Sequence, residues 1–143
     1  MPGIVIFRKS LYNKRQLIYL KGGVFVIKRK EDILPREVKN AQGGDNSVFF
    51  NDFLTKEESY GAGRVFAKLV LPPGSSIGVH EHHGEFEAIY VLDGQATITD
   101  GDEIVTLNPG DMNLCKDGAK HGMANKTDKD LTVIALIINV PQV

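Results

Sequence analysis

Along most of the chain, apolar residues come in short runs separated by turn formers. Runs such as VFAKLVL, FEAIYVL and LTVIALIINV are broken by LPPGSS, LDGQ, TDGDE, LNPGD, KDGAK and NKTDKD. Gly, Pro, Asn and Asp favour turns because they supply a positive φ, a fixed φ or a local side-chain hydrogen bond. The pattern predicts strands at 48–53, 64–71, 77–82, 86–92, 95–99, 103–107, 112–115, 121–124 and 131–140, with further candidates at 4–7, 17–20 and 24–28. Many short strands with few helical stretches predict an all-β sandwich or barrel. The clearest helical signal is TKEE at 55–58, where Thr55 and Glu58 have capping-box spacing. Residues 32–38 are ambiguous, because Pro35 would interrupt a helix there.

Charge changes the picture at the N-terminus. Residues 1–40 hold ten Lys/Arg against three acidic residues, a net +7, while the remainder holds seven against fifteen, a net −8. The basic residues interleave with the apolar runs IVIF, LIYL and VFVI. That interleaving predicts a strand-rich extension packing on its own acidic body or on a partner subunit, in preference to a nucleic-acid-binding arm. NAQGGDN at 40–46 reads as a linker or flexible loop. The expected organisation is therefore a basic extension over 1–47 and a β-domain over 48–143.

The length of 143 residues suits one core. No apolar run approaches the ~20 residues that span a bilayer. The opening MPGIVIFRKS lacks the long apolar segment and cleavage site of a signal peptide. Cys115, the single cysteine, excludes an intrachain disulfide and fits a reducing compartment. These features predict a soluble cytoplasmic protein with no membrane partner.

The chemistry concentrates in GSSIGVHEHHGEFEAIYVLDG at 74–94, which holds three of the four histidines. On a strand, His80 and His82 project from one face, while His83 reads as a bystander at the turn. An antiparallel return would bring Glu87 beside the pair. Imidazole nitrogens with a carboxylate suit Mn, Fe, Ni, Co or Zn and show no thiolate preference. His121, in GAKHGMAN, is a fourth candidate ligand. Three histidines and one glutamate would leave two positions of an octahedral metal open, as catalysis or ligand binding requires. Local pattern alone leaves a metal site and a group of hydrogen-bonded histidines equally open.

The spacing resolves this through a resemblance. Gly74, His80, His82, Glu87 and Gly94 match the first motif of the cupin superfamily without departure, and Gly110, Gly118, His121 and Asn125 match the second. Lys116 stands where the family usually has a proline that shapes a turn, which implies a less rigid loop before His121. The resemblance covers roughly 48–140. It implies an antiparallel jelly-roll (cupin) barrel, often a homodimer, with His80, His82, Glu87 and His121 holding one divalent transition metal. It also implies structural roles for the motif glycines and Asn125. Chains of this kind usually start near position 27, so the preceding residues read either as an extension that completes the barrel edge or reaches a partner, or as the product of an upstream start site.

Other residues discriminate less. Glu85 could share the face of Glu87 and act as a general base, or be an exposed loop carboxylate. Arg64 and Lys68 could pair with a substrate carboxylate. Met123 could line the pocket, and Cys115 reads as a small core residue. The leading expectation is a metal-dependent enzyme acting on a small oxygen-rich metabolite, by Lewis-acid decarboxylase, isomerase or lyase chemistry or as an iron dioxygenase. The alternative is a non-catalytic small-molecule or sugar-binding module.

Overall fold

The computed structural model describes residues 26–141. Residues 26–34 and the segment from Pro35 onward belong to separate compact units. In the first, Lys30–Asp32 form a 3-10 turn, closed by the Asp32 N–H donating to the Arg29 carbonyl at 2.9 Å. Residues 26–29 form no strand, and Val26 and Ile27 are half-exposed, so the described part of the 24–28 candidate is not β. The candidates at 4–7 and 17–20, and most of the expected strand-rich extension, lie outside the described residues.

The second unit contains ten strands among the described residues: β1 (Pro35–Lys39), β2 (Ser47–Asp52), β3 (Gly63–Leu71), β4 (Ser76–Glu81), β5 (Glu85–Asp93), β6 (Ala96–Asp100), β7 (Glu103–Leu107), β8 (Met112–Cys115), β9 (Lys120–Ala124) and β10 (Leu131–Asn139). They form two antiparallel sheets, β1-β2-β3-β10-β5-β8 and β4-β9-β6-β7. Pro35 opens β1 at a sheet edge, where a residue without an N–H is tolerated. Thr55 and Glu58 form the expected capping box: the Thr55 N–H donates to Glu58 Oε2 at 2.7 Å and the Glu58 N–H to Thr55 Oγ1 at 3.2 Å. The box starts one turn and no helix follows. Among the described residues, no helix is long and apolar enough to cross a membrane.

Period-two alternation builds the core between the sheets. Leu131, Val133, Ala135 and Ile137 on β10 are buried, as are Ala67, Leu69 and Leu71 on β3, Ile89 and Val91 on β5, and Ile98 on β6. Asn125 closes one end. Its side-chain amide donates to the carbonyls of Leu71 (2.8 Å) and Lys129 (2.7 Å), the structural part expected of it.

Residues 40–46, expected as a linker or flexible loop, instead form a tight turn packed on β4. Ala41 is buried, the Asn40 N–H donates to the Asn46 carbonyl at 2.8 Å, and the Ser76 N–H donates to the Asp45 carbonyl at 2.9 Å. The approach is close enough to require glycine on both sides. A Cβ on Gly44 would overlap the Ser76 carbonyl oxygen, and one on Gly78 the Gln42 carbonyl oxygen.

Candidate metal centre

The four candidate ligands come from three strands and one strand end. His80 lies on β4, Glu87 on β5 and His121 on β9, while His82 lies one residue beyond β4. The expected hairpin return of Glu87 does not occur. β4 pairs with β9 and β5 pairs with β10 and β8, so Glu87 meets the histidines across the interior from the opposite sheet. The site therefore exists only when both sheets are packed.

Strict alternation would put Ile77 and His80 on opposite faces. Pairing runs Ile77↔Met123 and then His80↔His121, so β4 carries one extra residue between them. This bulge leaves Val79 exposed, packs Ile77 against the core and sends His80 inward. The 40–46 turn sits on Gly78 at this bulge. His82 is fixed differently. Its N–H donates to the Ala119 carbonyl at 3.1 Å and its carbonyl accepts from Gly118 N–H at 2.7 Å. The Ala119 N–H still closes the turn on the Lys116 carbonyl at 3.0 Å, so the loop lacking the family's proline is stitched to a ligand residue.

All three imidazoles turn Nε2 toward one oxygen, Glu87 Oε2: 2.8 Å from His121, 3.2 Å from His82 and 3.7 Å from His80. The outward nitrogens are all engaged. His80 Nδ1 donates to the Gly78 carbonyl at 2.9 Å, His121 Nδ1 to Asn113 Oδ1 at 2.8 Å and His82 Nδ1 to Glu85 Oε1 at 2.9 Å. Asn113 is oriented in turn by its amide donating to Asp100 Oδ2 at 3.2 Å. His82 is fully buried and Glu87 is 5% exposed.

This arrangement fits a cation. A neutral imidazole protonated at Nδ1 presents Nε2 as a lone pair. Three such lone pairs and a carboxylate would face one another with all four ligand atoms within 4.8 Å, and His82 and His121 Nε2 only 3.2 Å apart. The cluster is repulsive unless a proton or a cation sits among its members. The donor set of imidazole nitrogen and carboxylate oxygen could hold one divalent transition ion.

The electrostatics agree. Burial pushes the Glu87 carboxyl up, but the neighbouring imidazoles of His121, His80 and His82 outweigh it and hold the group well below the usual carboxylate range. Hydrogen bonding to Glu87 raises the pKa of His82 against the opposing effect of burial, and Glu85 adds to the rise. The bidentate grip of Arg64 lowers that of Glu85.

The remaining candidates are placed as follows. Glu85 shares the Glu87 side of β5, but Arg64 and His82 occupy its carboxylate. Arg64 is thereby committed to Glu85. His83 is 75% exposed in its side chain and pairs with Glu81 at 3.2 Å. Met123 is core. Cys115 is buried, and burial with help from Asp100 and Glu87 pushes its thiol up to about 11. Gly78 and Asn113 are missing from the sequence-based candidates. Asn113 carried a usable signal, since it is a polar residue in phase with buried Cys115 on a predicted strand.

Comparison with known proteins adds to the geometry. The family profile described as "Cupin domain" matches residues 67–137. An oxalate-binding protein of Thermotoga maritima is 36% identical over 119 residues, spanning 83% of this chain and 98% of the relative. The crystal structure of a predicted oxalate decarboxylase from Thermotoga maritima superposes with TM-score 0.76 at 36% identity, covering 80% of this chain and 99% of that one. KdgF from Halomonas superposes with TM-score 0.63 over 79% of this chain and 94% of its own, at 16% identity, a likeness of fold alone.

Proposed function

The chain belongs to the cupin domain family, and from that premise we propose that it holds one divalent transition metal through His80, His82, Glu87 and His121 and uses it to capture a small chelating dicarboxylate of the oxalate class. The observation that carries this reading is the convergence of three Nε2 atoms on one Glu87 oxygen, in a chain 36% identical to a protein named for binding oxalate. Four protein donors leave two positions of a six-coordinate ion, and a two-carbon dicarboxylate can fill both at once. When bound, the ion supplies Lewis-acid polarisation of the carboxylate oxygens. The chain's own residues hold the rings: the Gly78 carbonyl, Glu85 and Asn113 each fix one Nδ1. Glu87 contributes the one anionic donor.

The test is elemental analysis of protein purified without chelator, followed by calorimetric titration with oxalate of the metal-loaded and stripped protein. Saturable binding is expected only in the loaded form, and alanine at His80 or His121 should abolish it. Equal oxalate affinity in the stripped protein would sink the proposal.

Turnover is the second reading, favoured by the same open positions and by the relative described as a predicted oxalate decarboxylase. Decarboxylation must return a proton to the carbon that loses CO₂. Glu85, the candidate general base, is already engaged by Arg64 and His82, which favours binding over turnover. Assaying the loaded protein for formate release from oxalate, and separately for oxygen uptake, decides between them.

The proposal extends to a homodimer. Phe66, Tyr90, Leu92, Met112 and Leu114 are exposed on β3, β5 and β8, out of phase with the core. Such a surface favours self-association. Sedimentation of the protein and of Leu114→Glu should show a dimer and its loss.

A further inference from the structure

The three histidines turn Nε2 inward because three different groups hold Nδ1 outward. His80 donates to a main-chain carbonyl and His121 to a side-chain amide. His82 donates to a carboxylate, Glu85, so it alone has a charged Nδ1 partner. A carboxylate accepting this N–H draws the proton outward and makes the opposite nitrogen a stronger donor. Glu85 is itself gripped. Arg64 Nη2 lies 2.6 Å from Glu85 Oε1 and Arg64 Nε 2.8 Å from Oε2. The fork-to-carboxylate geometry fixes the orientation of the plane as well as its position.

The backbone is shaped to deliver Arg64 there. β10 pairs Ile137 with Val65 and then Ile138 with Gly63, so Arg64 is the extra residue of a bulge. By strand parity Arg64 would join Phe66 and Lys68 on the outer face of the sheet; the bulge re-aims it. Gly63 is required, because a Cβ there would overlap the Ile137 carbonyl oxygen. The preceding turn is pinned by Ser59 Oγ donating to the Gly63 carbonyl at 2.7 Å and Asn139 Nδ2 donating to the Gly61 carbonyl at 2.6 Å. Glu85 and Glu87 would otherwise place two negative charges around one imidazole, and Arg64 offsets the outer one.

We infer that Arg64 and Glu85 are positioning residues that single out His82 as the strongest of the three nitrogen donors, an inference that rests on the metal-site reading above. The pair reaches the cluster through the His82 ring, which Glu85 holds at Nδ1.

The experiment uses the Zn(II)-loaded full chain, with ¹⁵N-labelled histidine for NMR and chelator competition for affinity. In the unaltered protein the His82 Nδ1–H resonance is expected downfield of those of His80 and His121, as a charge-assisted hydrogen bond demands. Glu85→Gln keeps an acceptor oxygen and removes the charge. It should weaken Zn(II) binding about 10- to 100-fold and move the His82 resonance upfield while the other two stay. Arg64→Lys keeps the cation without the fork and should lose less. Glu81→Gln, in an exposed pair with His83, should change neither readout. Unaltered affinity and an unmoved His82 resonance in Glu85→Gln overturn the inference. If that variant does not fold, the resonance order in the unaltered protein and the Arg64→Lys affinity decide, and a His82 Nδ1–H not downfield of the others overturns it. Failure of the unaltered protein to take up Zn(II) or Co(II) is a separate result, which removes the metal-site reading and this inference together.

Discussion

β10 and β4 are both antiparallel strands facing the same interior, yet they obey different rules. Over nine residues β10 alternates without interruption, burying Leu131, Val133, Ala135 and Ile137 between two neighbours. The register shifts beside it put the extra residues, Arg64 and Leu92, in the neighbouring strands. β4 carries its own bulge, exposes Val79 and delivers His80 inward. Stability comes from the strand that keeps its period. Glu87 and His121 sit in phase with the core residues of β5 and β9, but His80 and the Arg64 that grips Glu85 are aimed by strands that break their period with an extra residue.

Substitutions should separate these two kinds of strand. The largest effect is expected on β10. Leu131→Ala removes a fully buried side chain, at a cost of about 2–5 kcal/mol, read from urea unfolding, with metal stoichiometry of the folded fraction unchanged. On β4, Gly78→Ala drives a methyl into the Gln42 carbonyl and should cost about 1–3 kcal/mol as overpacking does. Unlike the β10 change, it should also weaken metal binding, because the carbonyl that holds His80 Nδ1 belongs to the displaced residue. A Gly78→Ala protein with full metal affinity would break the link between bulge and ligand. Asn113→Ala comes next. It removes the acceptor for His121 Nδ1 and should weaken metal binding about 10-fold or more with little loss of stability, whereas Asn113→Asp, retaining an acceptor, should lose less.

The same division governs what could be read from the sequence. β7 and β8 lie at the residues expected, and the other strands from β2 onward begin and end within a residue of expectation. Their boundaries are local facts of alternation and turn residues. The His80, His82, Glu87 and His121 grouping was legible because motif spacing encodes a three-dimensional arrangement. The route by which they meet was not, since alternation cannot distinguish a hairpin partner from a strand in the facing sheet. The bulges on β4 and at Arg64 were equally hidden. Each depends on a backbone approach from a distant segment, Gln42 onto Gly78 and Ile137 onto Gly63, for which an isolated glycine is only a weak sign. From sequence, the charge of Arg64 could pair with a substrate carboxylate. Its partner is Glu85, 21 residues away.

The smallest expected effect, and the one most particular to the site, is a pH dependence that reverses when metal is added. In the metal-free protein, Glu85 and Glu87 have pKa values below their ordinary range. Their stabilisation is present above the unfolded value of about 4.3 and is lost as pH falls through the folded values. His82 runs the other way. Its folded pKa is raised, so its contribution is fully present below about 6.5 and is lost as pH rises through the folded value. The metal-free protein should therefore be most stable between about pH 5 and 6.5, with Tm falling on the alkaline side. Metal binding needs unprotonated Nε2 atoms, so the Tm gain on adding Zn(II) should grow as pH rises over that same range. Differential scanning fluorimetry from pH 5 to 8, with and without Zn(II), measures both slopes. Parallel curves would mean that the ion does not bind where His82 meets Glu87, and the contrast between structural and functional strands would then lose its chemical half.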